Sequence, residues 1–471
     1  MKLPENTDQI FQYFEERTNL EKKPSGKNFI REYRLDRMKA LCNVLGNPQD
    51  KIPAVHIAGS KGKGSTGAYI GAMLSETGEK VGIYSSPHLL DYRERFRILL
   101  PGENPPGIFP EDTALETGRF LLKKVQQAET DGLPPNGEKA TTFELLTLFA
   151  FLLFNNSGCT YMVLETGLGG RLDATNVLIR PEAAVITPVE KEHTEILGKY
   201  LYRIAYEKAG IFREENLIIS AAQHPVVRLA LDRSARNKKN RVIYLNKEVT
   251  KIAQLPLDRK GDQIIFPWLL TYNGKTEKIC LKMGGLIQAQ NAALALITAV
   301  KLKGREKTPA FIRAAEKTAL PGRFQILSLN PLIVIDSAHT ASSVKAAKEA
   351  FFNIISRLFP ATNNKNKAVL VFGSVLGKNH KKMSEVLCSR NNGKGVFSEI
   401  LITTPGFFKP SNPEEVARVF SKKCKKTSLL ARPEEAFGRA LEISLQNSLP
   451  VLVAGSFFTA SLAAEYYKRR L

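Results

Sequence analysis

The sequence predicts an α/β protein with two domains. Over most of its 471 residues, short apolar runs alternate with helical patterns, which is typical of a mostly parallel sheet covered by helices. A glycine-rich turn lies between the first apolar run and the helix that follows, as in phosphate-binding loops (P-loops). The chain is too long for one compact core. We therefore expect a P-loop-containing, mostly parallel sheet domain with a small antiparallel β element, plus a smaller C-terminal Rossmann-like α/β domain.

The parallel strands of the first domain are predicted from short, mainly apolar runs. Such runs are expected where a strand is covered on both faces. The predicted strands are Ala54–Ala58, Val81–Ser85, Tyr161–Glu165, Ala183–Thr187 and Leu217–Ser220.

The segment after residue 241 has a different pattern. The predicted antiparallel strands are Val242–Leu245, Gln263–Leu270 and Lys278–Met283. The pair Asn273–Gly274 lies between the last two runs, and Asn-Gly is typical of a tight hairpin turn. One helix rich in Ala and Leu is predicted over residues 286–303.

The domain boundary is predicted near residue 305, which gives domains of residues 1–304 and 305–471. The charged stretch Lys303–Thr308 is followed by Pro309, a combination typical of a hinge. A second α/β pattern then begins. Its predicted strands are Leu332–Asp336, Ala368–Phe372, Glu399–Thr404 and Pro450–Ala454.

Composition restricts the class of protein. The five cysteines are scattered without a CxxC pair, which indicates neither a disulfide framework nor a zinc site and favours a reducing, cytoplasmic setting. The N-terminus lacks the apolar core of a signal peptide, and the apolar block Leu145–Phe154 is too short to span a bilayer. The net charge of +22 is carried mainly by dispersed lysines, without a nucleic-acid-binding motif. We therefore expect neither a membrane nor a nucleic-acid partner.

The most informative segment is HIAGSKGKGST, residues 56–66. Its glycines allow backbone N–H groups to face an anion, and the N-terminus of the next helix favours negative charge. Lys63 adds a positive charge for the distal phosphates of a nucleotide. The general pattern G-x-x-x-x-G-K-[ST] is not met, because only two residues separate Gly59 from Gly62. The segment predicts phosphate binding, and the alternative is a surface turn.

Several polar side chains follow predicted strands and are expected to meet at one edge of the sheet. Ser86 and Glu165 carry oxygen atoms suited to Mg²⁺ near a phosphate loop. Arg171 and Asp173 lie in a second glycine-rich loop, where they can contact a substrate. His193 follows the next strand along the chain. The alternatives are an ordinary Ser-Pro turn, an exposed strand edge in the following RERFRI run, and a structural histidine.

The second domain contributes two further candidates, Arg323 after a Pro-Gly turn and Asp336 at the end of a strand. An arginine and an aspartate that face a phosphate loop on another domain indicate a site closed by domain movement. The alternative is local capping, in which Thr340 caps the next helix and Asp336 bonds to the turn.

In this order, these segments resemble the folylpolyglutamate synthase/dihydrofolate synthase family of the Mur-ligase superfamily. The segments that carry the resemblance are HIAGSKGKGST, SSPHL, YRERFRI, LETGLGGRLDATN, EHTEILG, EKAGI, NA, PGR and D-x-AH. They extend over nearly the whole chain. The resemblance implies a Mur-ligase-type ATP-binding central domain over residues 1–304 and a Mur-ligase-type α/β domain over residues 305–471.

The resemblance implies an ATP-dependent ligase that adds L-glutamate to dihydropteroate, to (tetrahydro)folate glutamates, or to both. ATP would convert a pterin carboxylate into an acyl phosphate, which the amino group of glutamate then attacks. The alternatives are one of these activities alone, another Mur-type amino-acid ligase and, more remotely, a nucleic-acid-binding NTPase. The implied partners are small molecules only, and the implied state is a cytoplasmic monomer.

The resemblance also implies roles for individual residues. The implied catalytic residues are Lys63, Glu165, His193 and Lys208. The implied Mg²⁺ ligands are Ser86, Glu165 and His193. The implied ATP contacts are Gly59, Gly62, Lys63, Gly64, Ser65, Thr66, Asn291, Arg323 and Asp336. The implied pterin contacts are Tyr33, Arg34, Thr142, Phe143, Glu144, Leu172, Asp173 and Ala174. Lys208 is further implied to carry a carbamyl group that supports a second metal ion.

Overall fold

The fold is known from a computed structural model. It describes residues 4–19, 34–88, 91–103, 107–133, 138–261, 263–359, 367–389, 396–406 and 409–470. The chain divides into two compact units. Unit one comprises residues 1–252, 270–279 and 290–318, and unit two comprises residues 253–269, 280–289 and 319–471. This division groups residues 305–318 with unit one, so it does not coincide with the predicted domain limits, which stay a prediction.

The core of unit one is an eight-stranded sheet. Its strands are β1 (Ala54–Ala58), β2 (Val81–Tyr84), β3 (Phe96–Leu99), β4 (Gly107–Ile108), β5 (Tyr161–Glu165), β6 (Ala183–Ile186), β7 (Leu217–Ser220) and β8 (Val242–Tyr244). They lie in the order β4-β3-β2-β5-β1-β6-β7-β8. In this spatial order, every neighbouring pair from β2 through β5, β1, β6 and β7 to β8 is parallel. Strand β3 pairs in antiparallel fashion with β2 on one side and with β4 on the other. The predicted mostly parallel sheet is confirmed.

Two interpretations of this sheet are wrong. The run from Val242 is not antiparallel, because β8 pairs with β7 in parallel and Val242 lies opposite Ile218. The 12-residue helix Pro225–Arg236 between these strands is long enough to return the chain to the same end of the sheet. The RERFRI run is not an exposed edge, because β3 is paired on both sides and Arg95 is fully buried.

Helices follow or precede most of these strands. The helices in or entering unit one are α1 (Thr7–Glu15), α2 (Leu35–Val44), α3 (Lys63–Ser75), α4 (Glu111–Thr130), α5 (Thr142–Asn156), α6 (Thr194–Leu197), α7 (Leu201–Lys208), α8 (Pro225–Arg236), α9 (Leu245–Glu248), α10 (Leu286–Lys303) and α11 (Thr308–Lys317). The 3₁₀ helices are Pro48–Asp50, Tyr92–Arg95, Ala174–Val177, Ala209–Ile211 and Arg305–Lys307. Within the parts of the chain that the structure describes, no helix combines the length and apolarity that a membrane span needs.

Two apolar clusters fix the sheet of unit one. One joins α1, α2, α4 and α5 to the sheet through stacked and edge-on rings, with Phe96 5.9 Å from Phe11 and 5.1 Å from Phe149 between centroids. The other joins α7 and α8 to β6 and β7. A sheet anchored in this way is a rigid base for the loops at its ends.

A small four-stranded sheet precedes α10. Its strands are β9 (Val249–Gln254), β10 (Asp258–Lys260), β11 (Gln263–Tyr272) and β12 (Lys275–Leu281). The order is β10-β11-β12, and β9 pairs with β11. Asn273 and Gly274 have φ angles of 46° and 74°, which a two-residue turn of type I′ requires. The predicted hairpin and small β element are confirmed.

The core of unit two is a six-stranded sheet. Its strands are β13 (Gln325–Leu329), β14 (Leu332–Ile335), β15 (Lys367–Gly373), β16 (Val396–Thr403), β17 (Thr427–Leu429) and β18 (Val451–Ala454). The order is β13-β14-β18-β15-β16-β17, and only β13–β14 is antiparallel. The helices are α12 (Ala341–Leu358), α13 (His380–Cys388), α14 (Pro413–Ser421), α15 (Pro433–Asn447) and α16 (Phe457–Lys468). The predicted second α/β pattern is confirmed.

Candidate functional site

The carboxyl ends of β2, β5, β1 and β6 lie side by side in unit one. Glu165 ends β5 opposite Ile57 of β1, and Thr187 follows β6, where its N–H donates to the carbonyl of Ala58 at 2.9 Å. The glycine-rich loop therefore leaves the sheet between Glu165 and Thr187. In open α/β sheets, this edge is where ligands bind.

The glycines of the loop lie against neighbouring side chains. Gly62 caps α3 with a φ of +82°, and a Cβ atom there would lie 2.4 Å from Oδ1 of Asn291. Asn291 is buried on α10 and belongs to the same unit. A Cβ atom on Gly59 would lie 1.8 Å from Oγ1 of Thr187. Glycine is therefore required at both positions for the loop to pack as it does.

The variant Gly59→Ala is expected to weaken nucleotide binding and to lower the free energy of unfolding by about 1–3 kcal/mol, because overpacking forces the loop away from Thr187. Calorimetric titration with ADP and denaturant unfolding would measure the two effects. Gly78→Ala is the matched control, since Gly78 also has a positive φ of +92° but no atom within 4 Å of an added Cβ. Equal losses in both variants would contradict a role for the close packing.

Lys63 and Glu165 form the centre of the site. The Nζ atom of Lys63, the first residue of α3, lies 3.7 Å from Oε1 of Glu165 and 3.3 Å from the carbonyl oxygen of Gly59. The backbone N–H of Ser86 donates to Oε2 of Glu165 at 3.4 Å. A Cβ atom on Gly64 would lie 3.2 Å from that oxygen. A glycine here keeps space beside the carboxylate, at a helix N-terminus that favours anions.

Lys208 contacts the same loop from the other side. Its Nζ atom donates to the carbonyl of Gly59 at 2.8 Å and to Oε1 of Glu192 at 2.9 Å, and its side chain is 1% exposed. Burial lowers the pKa of Lys208, against the raising effect of Glu192. Burial alone would raise the pKa of Glu192, but Lys208 and Lys63 outweigh it, so this pKa is lowered. The result is an ion pair between a buried lysine and a partly exposed glutamate, bonded to the glycine-rich loop.

His193 follows Glu192 directly and precedes α6, with a φ of +45° and a side chain that is 45% exposed. Its Nδ1 atom lies 3.8 Å from Oε1 of Glu195. Among the residues whose positions are described, no group of three or more His, Cys, Asp or Glu side chains could hold a metal ion. Mg²⁺ that arrives with a nucleotide is typically held by one or two carboxylates, phosphate oxygens and water. The ligand set of Ser86, Glu165 and His193 stays a prediction.

The second glycine-rich loop packs against the end of α7. A Cβ atom on Gly170 would lie 2.8 Å from the carbonyl oxygen of Lys208, and one on Gly210 would lie 2.4 Å from Cα of Arg171. The backbone N–H of Arg171 donates to the carbonyl of Glu207 at 2.8 Å, and the two side chains pair at 3.0 Å. This loop therefore fixes the helical turn that carries Lys208.

The implied pterin residues on this loop lie together. Leu172 is half-buried, and Asp173 and Ala174 are buried. Phe143 lies against the same loop, because a Cβ atom on Gly167 would lie 2.5 Å from its Cζ atom. The remaining implied residues lie elsewhere in the unit or outside the described residues.

The other implied pterin residues are engaged in contacts within the protein. The guanidinium of Arg34 pairs with Asp36 and, at 3.1 Å, with Glu138. The hydroxyl of Thr142 donates to the carbonyl of Phe14 at 2.8 Å. Tyr33 lies outside the described residues. Their role in pterin binding stays a prediction.

Glu144 is buried, and its carboxylate is fully used by the scaffold. Nε of Arg37 donates to Oε1 at 2.9 Å and to Oε2 at 2.8 Å. Thr141 forms a capping box with Glu144 at the start of α5, donating its backbone N–H to Oε2 at 2.8 Å. These contacts indicate that Glu144 holds α2 against α5.

The variant Glu144→Gln is expected to lower the free energy of unfolding by about 1–3 kcal/mol, because glutamine keeps the capping box but leaves the buried Arg37 without this charged partner. Denaturant unfolding measures the loss. The Michaelis constant for the pterin, measured below the unfolding transition, is expected to stay near the wild-type value. A large rise in that constant without a loss of stability would instead support direct pterin contact.

Arg323 and Asp336 lie in unit two. Asp336 accepts hydrogen bonds from the backbone N–H groups of Phe324 at 2.8 Å and Ala338 at 2.7 Å. The guanidinium of Arg323 donates to the hydroxyl of Ser337. Thr340 caps α12. The local capping alternative is confirmed, while the ATP contacts of Arg323 and Asp336 stay predictions.

Two of the implied ATP contacts, Ser65 and Thr66, lie near the start of α3. Ser65 and Thr66 are both buried within the first turns of the helix. The hydroxyl of Thr66 makes no hydrogen bond within the described part of the chain. The backbone N–H of Thr66 donates to the carbonyl of Gly62 at 2.8 Å, so the amide of Ser65 is the group of the two that is suited to phosphate.

Sequence reasoning missed two partners of the loop, Glu192 and Thr187. Glu192 pairs with Lys208 across 16 residues of chain, and Thr187 limits the space at Gly59. Both follow β6, the strand beside β1. The available signal was their position after a buried parallel strand, where polar residues line ligand sites.

Comparisons with known proteins agree with this geometry. Residues 114–299 match the Mur ligase middle domain. The chain is 34% identical over 354 residues to the dihydrofolate synthase/folylpolyglutamate synthase of Bacillus subtilis, covering 70% of this chain and 76% of that protein. It is 28% identical over 434 residues to the protein of the same name from Buchnera aphidicola subsp. Acyrthosiphon pisum, covering 92% and 93% of the two chains.

The fold is also shared with a solved structure. Mycobacterium tuberculosis folylpolyglutamate synthase, complexed with ADP and AMPPCP, superposes with a TM-score of 0.79 at 23% identity, covering 98% of this chain and 97% of that chain. The sequence similarity to the Bacillus protein agrees with the motifs, and the shared fold agrees with the observed architecture. The chain belongs to the dihydrofolate synthase/folylpolyglutamate synthase family, a family of ATP-dependent ligases with a Mur ligase middle domain.

Proposed function

We propose that this protein uses ATP to add L-glutamate to dihydropteroate, to (tetrahydro)folate glutamates, or to both. The observation that carries the proposal is the meeting of Lys63, Glu165 and Lys208 around the glycine-rich loop, with Lys63 and Lys208 both bonded to the carbonyl of Gly59. Family membership supports the choice of a glutamate ligase over another use of ATP.

ATP would bind with its phosphates at the N-terminus of α3. The amides of residues 62–65 and the ammonium of Lys63 are the donors placed there. During phosphoryl transfer, negative charge is spread over the transferred group, and preorganised donors stabilise it. We expect Lys63 to be the principal cation that the chain supplies to this step.

The residues predicted to hold a magnesium ion that binds with ATP carry suitable donor atoms. Glu165 supplies a carboxylate, Ser86 a hydroxyl and His193 an imidazole, and Gly64 leaves space at Glu165. When bound, the ion neutralises charge on the phosphates. Burial lowers the pKa of Lys208, which favours the neutral amine that reacts with CO₂. A carbamyl group formed there would give the chain a further anion for a second ion.

The proposed reaction proceeds in two steps, formation of an acyl phosphate and formation of the amide. A carboxylate oxygen of the pterin substrate attacks the γ-phosphorus of ATP, the bond to the β-phosphate oxygen breaks, and ADP leaves. The amino group of glutamate then attacks the acyl carbon, phosphate leaves, and the nitrogen loses a proton as the amide forms. The carboxylate is already ionised at neutral pH, so no activated serine or cysteine is needed.

The test supplies purified protein with ATP, Mg²⁺, L-glutamate and either dihydropteroate or tetrahydrofolate. Phosphate release that depends on both the pterin and glutamate, with a product heavier by one glutamate residue in mass spectrometry, is the expected result. Turnover with only one pterin would assign a single activity. Turnover only with a muramyl-peptide substrate, or only with RNA or DNA, would reject the proposal in favour of another Mur-type ligase or a nucleic-acid-dependent NTPase.

We also propose that the protein acts in the cytoplasm as a monomer. The scattered cysteines support the location. Sedimentation equilibrium at assay concentrations tests the oligomeric state, and a concentration-dependent dimer would overturn it.

A further inference from the structure

His56 is a polar residue in a buried strand. It lies in the middle of β1, three residues before Gly59, and is fully buried. Val55 and Ile57 beside it point to the opposite face of the sheet, since side chains alternate along a strand. Its Nε2 atom lies 2.8 Å from Oγ1 of Thr175. Burying an imidazole costs free energy unless it is hydrogen-bonded. The bond to Thr175 therefore offsets part of the cost of burying His56.

The hydrogen bond continues from Thr175 to Asp173. The hydroxyl of Thr175 donates to Oδ1 of Asp173 at 2.6 Å. A hydroxyl has only one hydrogen to donate, so Oγ1 of Thr175 accepts from Nε2–H of His56. The proton of the neutral imidazole is therefore assigned to Nε2. The chain of donors runs in one direction, from His56 through Thr175 to the carboxylate.

Asp173 connects this chain of hydrogen bonds to the second glycine-rich loop. Its side chain is 3% exposed, and Oδ2 accepts the backbone N–H of Leu168 at 2.8 Å. Oδ1 also accepts the backbone N–H of Thr175 at 3.1 Å, which caps the 3₁₀ helix Ala174–Val177. The carboxylate therefore closes the loop by binding both of its ends. Its lone pairs face the protein interior rather than a ligand.

Asn176 connects the loop to the 3₁₀ helix Ala209–Ile211, which directly follows Lys208 at the end of α7. Its amide donates to the carbonyls of Arg171 at 3.0 Å and Gly210 at 3.1 Å. Lys208 in turn donates to the carbonyl of Gly59. These contacts, together with the intervening chain, connect His56 in β1 to Gly59, the residue that directly follows β1.

We propose that His56 is a positioning residue for the proposed ligase reaction. Through Thr175 and Asp173 it fixes the glycine-rich loop of residues 166–172, and with it the end of α7 that holds Lys208 against the phosphate loop. Asp173 is then an organiser of the loop rather than a direct pterin contact. The kinetic part of this inference rests on the proposed function, whereas the ordering of the loop does not.

The environment of His56 excludes an acid–base role. Burial, followed by the charge of Arg213, lowers its pKa to about 3. Within the described part of the chain, its Nδ1 atom has no hydrogen-bond partner. The imidazole is therefore neutral throughout the working range of pH. Variants at His56 are expected to change rates without moving the pH profile.

The test compares Thr175→Val and His56→Leu, which break the chain, with Thr175→Ser and His56→Gln, which keep a hydroxyl and an N–H donor. The breaking variants are expected to lower kcat by about 10–100-fold, as supporting hydrogen bonds of active-site ligands do. The double variant Thr175→Val/His56→Leu is expected to be no slower than either single variant, because one chain is broken in each case. The conservative variants are expected to recover most of the lost rate, with an unchanged pH profile.

The control is Thr117→Val, which removes another buried hydroxyl of unit one, bonded to Asn156 at 2.9 Å and outside the site. It is expected to keep the wild-type kcat. Hydrogen exchange at residues 166–176 adds a readout without turnover, and the Leu168 amide is expected to exchange faster in Thr175→Val than in the control. Wild-type exchange there together with wild-type kcat, or additive losses in the double variant, would overturn the proposal. If the wild type turns over neither pterin, the proposed function fails, while exchange still decides whether His56 orders the loop.

Discussion

Replacing Lys63 by alanine is expected to reduce the rate of glutamate addition by roughly 10²–10³-fold, the loss typical of removing one preorganised donor from a developing charge. Lys63 is the first residue of α3, and its ammonium lies 3.7 Å from Glu165 and 3.3 Å from the carbonyl of Gly59. The variant is therefore expected to lose a cation that the proposed reaction needs at the transferred phosphoryl group. Because the interaction grows during phosphoryl transfer, kcat is expected to fall more than the affinity for ATP.

Lys61→Ala is the matched control for this variant. Lys61 lies in the same loop, but its Nζ atom pairs with Glu190 at 2.6 Å, and ion pairs near the surface contribute only about 0–1 kcal/mol to stability. Steady-state kinetics and denaturant unfolding on both variants separate a catalytic loss from a folding loss. Equal activity in the two variants would refute the assignment of Lys63, and it would leave the loop as a structural turn.

The phosphate loop and the parallel sheet could be predicted because their signals are local. The apolar run at Ala54–Ala58, the glycines after it and the helix at Lys63 are contiguous in the chain, and each type of residue has one strong conformational meaning. The same holds for the Asn273–Gly274 turn, whose two positive φ angles follow from its composition. Family motifs then supplied the roles that composition cannot supply.

The pairs that hold the site could not be predicted from the sequence in the same way. Arg37 and Glu144 are 107 residues apart, and His56 and Thr175 are 119 residues apart. No local pattern records such a pair, because the partners are far apart in the chain and neither residue alone shows what it contacts. The predicted antiparallel direction of β8 was wrong for a related reason, since an apolar run does not show which neighbouring strand it pairs with.

Replacing Lys208 by methionine is expected to lower both activity and stability. Methionine fills a similar volume but leaves the carbonyl of Gly59 without this donor and the Glu192 carboxylate without its cation. The carbonyl of Gly59 keeps the bond from Lys63, so the main loss of stability is expected from the Glu192 carboxylate left without its cation, about 1–3 kcal/mol in the free energy of unfolding. The rate is expected to fall by at least about 10²-fold, because the loop that orients the phosphates loses its support and any carbamyl group is lost.

The double variant Lys208→Met/Glu192→Gln separates these two effects. Removing the orphaned charge is expected to restore part of the stability, since much of the loss on breaking an ion pair comes from the charge left without its partner. Activity is expected to stay low, because neither an ammonium nor a carbamyl group is available at the loop. Recovery of activity together with stability would mean that Lys208 acts only through the fold.

Lys208→Arg then distinguishes the two chemical states of the lysine. Arginine keeps a cation that can bond to Gly59 and Glu192, but its guanidinium stays protonated and cannot form a carbamate. If the ammonium alone supports catalysis, the arginine variant recovers part of the rate and the wild type is indifferent to bicarbonate. If a carbamate is required, Lys208→Arg stays as slow as Lys208→Met, and the wild-type rate rises with added bicarbonate, because burial already favours the neutral amine that attacks CO₂.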